Sequence, residues 1–172
     1  MADVGAGAGL SRGAPGYFFG SKEALYAAVL ARAFDERDAA LRPAFDGLAA
    51  WDGATPVEDP LAAAVAAYLG FLHANPQFVA LVEREALDGT GRLARTPHAS
   101  SAVAGALAAL RGRHGLLEFD VAEVLVALVS LCFFPLAHRT TFLPAAGVDP
   151  EAPGFLERRR DAVVAALLPM IR

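Results

Sequence analysis

Apolar residues recur three and four positions apart along most of the chain, broken by clusters of Pro, Gly and Asp, and strand-like alternation is sparse. The pattern predicts an all-α protein. Ser21 is placed to cap a helix running to about Ala40, with Glu23 in its first turn near the positive end of the helix dipole. Its expected apolar stripe is Leu25, Val29 and Ala33, widened by Tyr26, Leu30 and Phe34. The stretch from Asp46 to Asp59, with two Asp-Gly pairs and Pro56, reads as a loop, so the chain divides into residues 1–45 and 46–172.

Asp59-Pro60 reads as an N-cap followed by a proline at the first helical position, leading into Leu61, Val65, Tyr68 and Leu72. Asn75-Pro76 repeats the device, ending one helix and opening another that carries Phe78, Leu81, Val82 and Leu87 before Asp88-Gly89. Thr96-Pro97 is expected to start a helix through Val103, Leu107 and Leu110, halted near Gly112 and Gly115. Asp120 is placed to cap the most apolar helix, Val121 to about His138, with a kink at Pro135. After a loop containing Pro144, Gly147, Asp149-Pro150 and Pro153, a last helix is expected from about Phe155 to Ile171.

The helix at Val121 is apolar nearly all round and calls for more than one buried surface. The last helix carries its own apolar stripe. A symmetric four-helix interface with a second copy is therefore expected, using Val124, Leu128, Leu131, Val163, Val164, Leu167, Leu168 and Ile171.

At 172 residues, 55% hydrophobic and 20% charged, with mean hydropathy +0.40, the chain can bury one substantial core and is not a disordered polymer. Cys132 has no partner for an internal disulfide, which points to a reducing, cytoplasmic setting. Met1 to Leu10 has neither a basic nor an apolar segment of the kind a secretion signal needs. The longest apolar run, Val124 to Ala137, falls short of the roughly 20 residues of a membrane span, so no membrane partner is expected. A net charge of −4 argues against indiscriminate nucleic-acid binding but leaves room for a local basic patch. Of the 15 basic residues, Lys22 is the only lysine.

The first 25 residues are the most informative. Val4 to Ala8, a turn at Gly9, and a second short segment through Phe18 read as two short helices before the one capped by Ser21. Gly9 can take the positive φ of a tight turn, Ser11 can cap the second short helix, and Val4, Ala8, Leu10 and Phe18 are placed to pack the pair together. This is a helix-turn-helix pattern.

Gly9-Leu10-Ser11, Phe19, Ser21-Lys22-Glu23 and Leu25 resemble the DNA-binding motif of the TetR family of one-component transcriptional regulators. The run Phe133-Phe134-Pro135-Leu136-Ala137-His138 also looks like one seen in many members. The resemblance implies a partial N-terminal helix-turn-helix followed by a helical ligand-binding and dimerisation domain. It implies that Ser11, Arg12, Gly13 and Ala14, at the start of the recognition helix, face base edges in operator DNA. Tyr17 and Lys22 are placed as phosphate contacts, Lys22 at a helix start that suits an anion. By the resemblance, the family pattern begins roughly 30 residues earlier, with a helix that packs across these two, and residues 1 to about 20 are expected to pack loosely. Pro15 with Gly13 and Gly16 also makes a poor helix, since Gly costs about 1 kcal/mol and interior Pro about 3.

Gly9 to Gly13 matches G-x-S-x-G, but no strand precedes it as a nucleophile elbow requires. A dinucleotide loop would need glycine where Leu10 stands. His73, His98, His114 and His138 are not paired at helical spacing, so neither metal nor cofactor is expected, and the chain does not read as an enzyme. A pocket in the larger domain is expected at Tyr68, Phe71, Phe78, Val82, Glu85, Phe134 and His138. Tyr68, Glu85 and His138 would serve there as polar anchors for a small apolar or aromatic effector. The implied activity is a homodimeric repressor released from DNA by that effector. The rival reading is a dimerising ligand-binding module without DNA binding.

Overall fold

The computed structural model describes residues 1–96 and 101–172, and every regular element among them is helical. The N-terminal elements are α1 (Ala2–Gly7), α2 (Ala14–Phe19) and α3 (Lys22–Ala49). The body adds α4 (Glu58–Ala74), α5 (Pro76–Asp88), α6 (Arg92–Arg95), α7 (Ser101–Leu110), α8 (Val121–Ala137), α9 (Phe142–Ala145) and α10 (Phe155–Ile171). The expected helix start at Thr96-Pro97, and His98, involve positions outside the described residues.

Several boundaries follow the local signals. Ser21 caps α3 by accepting a hydrogen bond from the Ala24 amide at 3.0 Å, and Asp120 caps α8 through the amides of Ala122 and Glu123. Asn75 ends α4 and Pro76 opens α5, which stops at Gly89 in the left-handed conformation. Others differ. The helix expected to end near Ala40 continues to Ala49, because Pro43 falls where its ring faces solvent while Leu41, Phe45 and Leu48 are buried. Asp59 does not cap α4: Val57 holds that position, and Asp59 lies in the first turn. The buried stripe of α3 is Leu30, Phe34, Leu41, Phe45 and Leu48, whereas Val29 of the expected stripe is exposed.

The core is built around α4. α3 and α10 pack on it, α7 packs on α3, and α8 lies against α4, α5, α7 and α10. At the end remote from α1 the connecting loops are tied together. The Leu117 amide donates to Ile171 at 2.9 Å, Arg172 pairs with Glu58 at 2.6 Å, and Trp51 meets the His114 ring edge-on at 5.3 Å. No single described helix is long and apolar enough to cross a membrane; α4 and α5 together are, but they break by 87° at Asn75.

Candidate functional site

α1, the turn and α2 form two short helices packed in sequence against the start of α3. Gly9 takes φ +69° in the turn, as its position requires. The contact between the helices is not the expected one. Val4, Ala8, Leu10 and Phe18 are all exposed, and the close approach is made by Gly5, where an added Cβ would lie 2.7 Å from the Ser11 carbonyl oxygen. Ser11 does not cap α2 with its side chain; its carbonyl accepts from the Ala14 amide at 3.0 Å, and Gly13 is the N-cap. Pro15 sits in the first turn, where an amide hydrogen has no helical acceptor, so it spares α2 the interior-proline penalty. Ser11, Arg12, Gly13, Tyr17 and Lys22 are exposed and Ala14 half-buried, all within this short stretch.

One turn into α3 the N-terminal end meets the body. Tyr26 lies under the Arg92 guanidinium, 5.1 Å from Cζ to the ring centre, and Arg92 pairs at 3.3 Å with Glu85, whose side chain is 1% exposed. Thr90 donates a second hydrogen bond to Glu85 at 3.2 Å. The Tyr26 hydroxyl is buried and meets no hydrogen-bond partner among the described residues, and desolvation raises its pKa, with nearby Glu85 adding to the effect. Glu85 is thus engaged at a junction between α3, α5 and α6.

The other expected pocket residues fall in three places. Phe71 and Phe78 meet edge-on at 5.2 Å and line a groove of about 430 Å³ with Val29, Arg32, Ala33, Asn75 and Leu81. Val82 is half-buried on the same helix as Phe78. Tyr68 is buried in the core, its pKa raised by desolvation. Phe134 and His138 meet as tilted rings 4.4 Å apart near Phe142, on the outside of α8. The set does not line one common groove.

Behind Phe78 lies a charged pair that sequence reasoning passes over. Phe34 meets Phe78 edge-on at 5.2 Å, and its ring carries the Arg37 guanidinium 4.7 Å from its centre. Arg37 donates from Nε to Asp38 Oδ1 at 2.9 Å and from Nη2 to the same oxygen. The two side chains are 7% and 8% exposed. A signal for it is present: Arg37 and Asp38 lie three and four residues beyond Phe34, on the inward stripe.

Of the expected interface residues, Val124, Leu128, Val163, Val164, Leu167 and Ile171 are buried within the protomer. They fix α8 and α10 on α4 and leave little area for a partner, whereas Leu131 and Leu168 stay half-buried. The outward face of α8 instead presents Val126, Ser130 and Phe134, flanked by half-buried Leu125, Val129 and Phe133. Beside it α10 exposes Ala162, Ala165, Ala166 and Pro169. Arg159 binds the two helices, donating from Nε and Nη2 to the Leu131 carbonyl at 3.0 and 2.7 Å. That carbonyl faces Pro135, which has no amide hydrogen to offer it. Among the described residues no group of three or more His, Cys, Asp or Glu side chains is arranged to hold a metal.

No curated protein matches the chain. The profile of the tetracyclin repressor-like C-terminal domain matches residues 56–167, from the start of α4 through most of α10. That match covers well over half of the 172 residues, and the chain belongs to the tetracyclin repressor-like family.

Proposed function

We propose that the chain is a transcriptional regulator, acting as a repressor, that binds operator DNA as a homodimer and is released by a small apolar or aromatic effector. The carrying observation is the family match over the body, joined through the capped α3 to the α1-turn-α2 unit with Lys22 exposed at the helix start. Residues 1–45 serve as the reading part and 46–172 as the regulatory body. Arg12 and Ala14 read bases, while Tyr17 and Lys22 hold phosphates. The dimer forms through the outward faces of α8 and α10, where exposed alanines allow two backbones to approach closely. The groove at Phe71 and Phe78 admits the effector. These proteins work as regulators.

The test is fluorescence anisotropy of the chain on duplex DNA from the region flanking its gene, over a salt series. Specific binding that weakens steeply with salt is expected through counterion release. Lys22→Ala is expected to weaken binding alike on all sequences and to lower the salt slope by about one. Absence of specific binding at low salt overturns the DNA-binding part and leaves a dimerising ligand-binding module.

A further inference from the structure

Two grooves share α5. The helix gives Phe78 and Leu81 to the groove at Phe71, and gives Val79, Glu83 and Leu87 to a second groove of about 440 Å³, whose far wall is the end of α8 and the residues after it. The second groove has an apolar floor, because Leu72, Val79 and Leu136 are all core residues. Each wall carries a charge about one turn beyond its floor residue: Glu83 follows Val79 on α5, and Arg139 follows Leu136. Leu87, also on the lining, is 83% exposed.

The two charges distinguish this groove from an ordinary surface hollow. Arg84 on the same lining is engaged, pairing with Asp88 at 3.1 Å. Glu83 and Arg139 are half-buried, and neither has an ion pair or hydrogen bond among the described residues, so they do not close on each other across the groove. A charge drawn partly out of water is best compensated by a fixed opposite charge. A simple carboxylic acid would satisfy Arg139 but bring a second anion near Glu83, and a simple amine would satisfy Glu83 but bring a second cation near Arg139. A molecule carrying both groups meets the two walls at once. We infer that this groove is a binding site for an apolar α-amino acid. Its ammonium donates to Glu83, its carboxylate accepts from the Arg139 guanidinium, and its side chain lies over Leu72, Val79 and Leu136. The volume falls in the range of small-molecule sites. The site is separate from the groove at Phe71 and Phe78 and does not depend on the effector role proposed there.

The experiment is calorimetric titration of the full chain, without DNA, with two matched series: phenylalanine against 3-phenylpropanoate and 2-phenylethylamine, and leucine against 4-methylpentanoate and isoamylamine. In at least one series the amino acid is expected to bind at least about tenfold tighter than either analogue, the worth of one charge-assisted contact. Glu83→Gln is expected to erase the preference over the acid and keep that over the amine; Arg139→Gln is expected to do the converse. Circular dichroism checks both folds, and Phe71→Ala is expected to leave the amino-acid affinity unchanged. An acid or amine that binds as tightly as its amino acid in both series overturns the inference, as do preferences that survive the two variants. Binding of neither amino acid at millimolar concentration also overturns it and leaves the effector groove untouched. Loss of amino-acid binding in Phe71→Ala would move the ligand to the other groove. A dimer that dissociates in sedimentation on Glu83→Gln or Arg139→Gln would show that a second copy covers these charges, and either result overturns the assignment.

Discussion

Cys132 shows how far burial alone sets a side chain's chemistry. Its thiol is fully buried between α8 and the rest of the core, and desolvation pushes its pKa up from 9.0 to about 12, against a smaller opposing pull from Arg159. Tyr68 is raised for the same reason. Both groups are acids held neutral by the fold, so their contribution to stability is complete below their unfolded pKa values and is lost as pH rises through the folded ones. Denaturation midpoints are therefore expected to fall as pH is raised from about 9 upward. Cys132→Ala is expected to flatten the first part of that fall, while a slope unchanged by the substitution would contradict it. The same thiol is expected to resist thiol reagents at neutral pH until the protein unfolds. Tyr68 is legible in the sequence as a member of the apolar stripe Leu61, Val65, Tyr68 and Leu72; what such a residue touches is not. Glu85 reads in the sequence as a free anchor and is held by Arg92 and Thr90, a pairing across α5 and α6 that no spacing rule reveals.

Helix ends are the most legible part of the chain, because Ser21, Asn75, Gly89 and Asp120 each act on the amides or carbonyls next to them. Helix faces are less so. The expected interface stripe on α8 and α10 is apolar at the right spacing, but an apolar stripe does not say whether it meets its own protomer or another, and here it meets α4. The union of α8 and α10 also depends on a backbone detail. Pro135 leaves the Leu131 carbonyl without its helical donor, and Arg159 supplies two hydrogen bonds in its place. Arg159→Met is expected to cost about 1–3 kcal/mol in denaturant unfolding, the penalty of an unsatisfied, partly buried acceptor. In a Pro135→Ala background, where the helix can provide the amide itself, the same substitution is expected to cost less. Equal costs in the two backgrounds would show that Arg159 acts through something other than this carbonyl.

The assembled molecule leaves one long apolar strip uncovered, along α8 from Val126, which is 60% exposed, to Phe134, with Phe142 beyond it. In the proposed dimer this strip and the alanine face of α10 are the contact. Val126→Glu is expected to give a monomer in sedimentation at micromolar concentration with thermal stability of the protomer little changed, since exposed substitutions shift stability by less than about 0.5 kcal/mol. A persistent dimer would place the interface elsewhere. The other feature of the whole is α3, 28 residues without a break from the exposed lysine to the loop at Trp51. At about 1.5 Å per residue it is a rod of about 42 Å, and tilting it by about 5° about its body end swings the other end by close to 4 Å. The Arg37–Asp38 pair sits near the middle of that lever, where any adjustment of the buried charges is roughly doubled on reaching Lys22. In the proposed regulator, a change in angle too small to disturb the core would thus take the α1–α2 end out of register with a DNA groove.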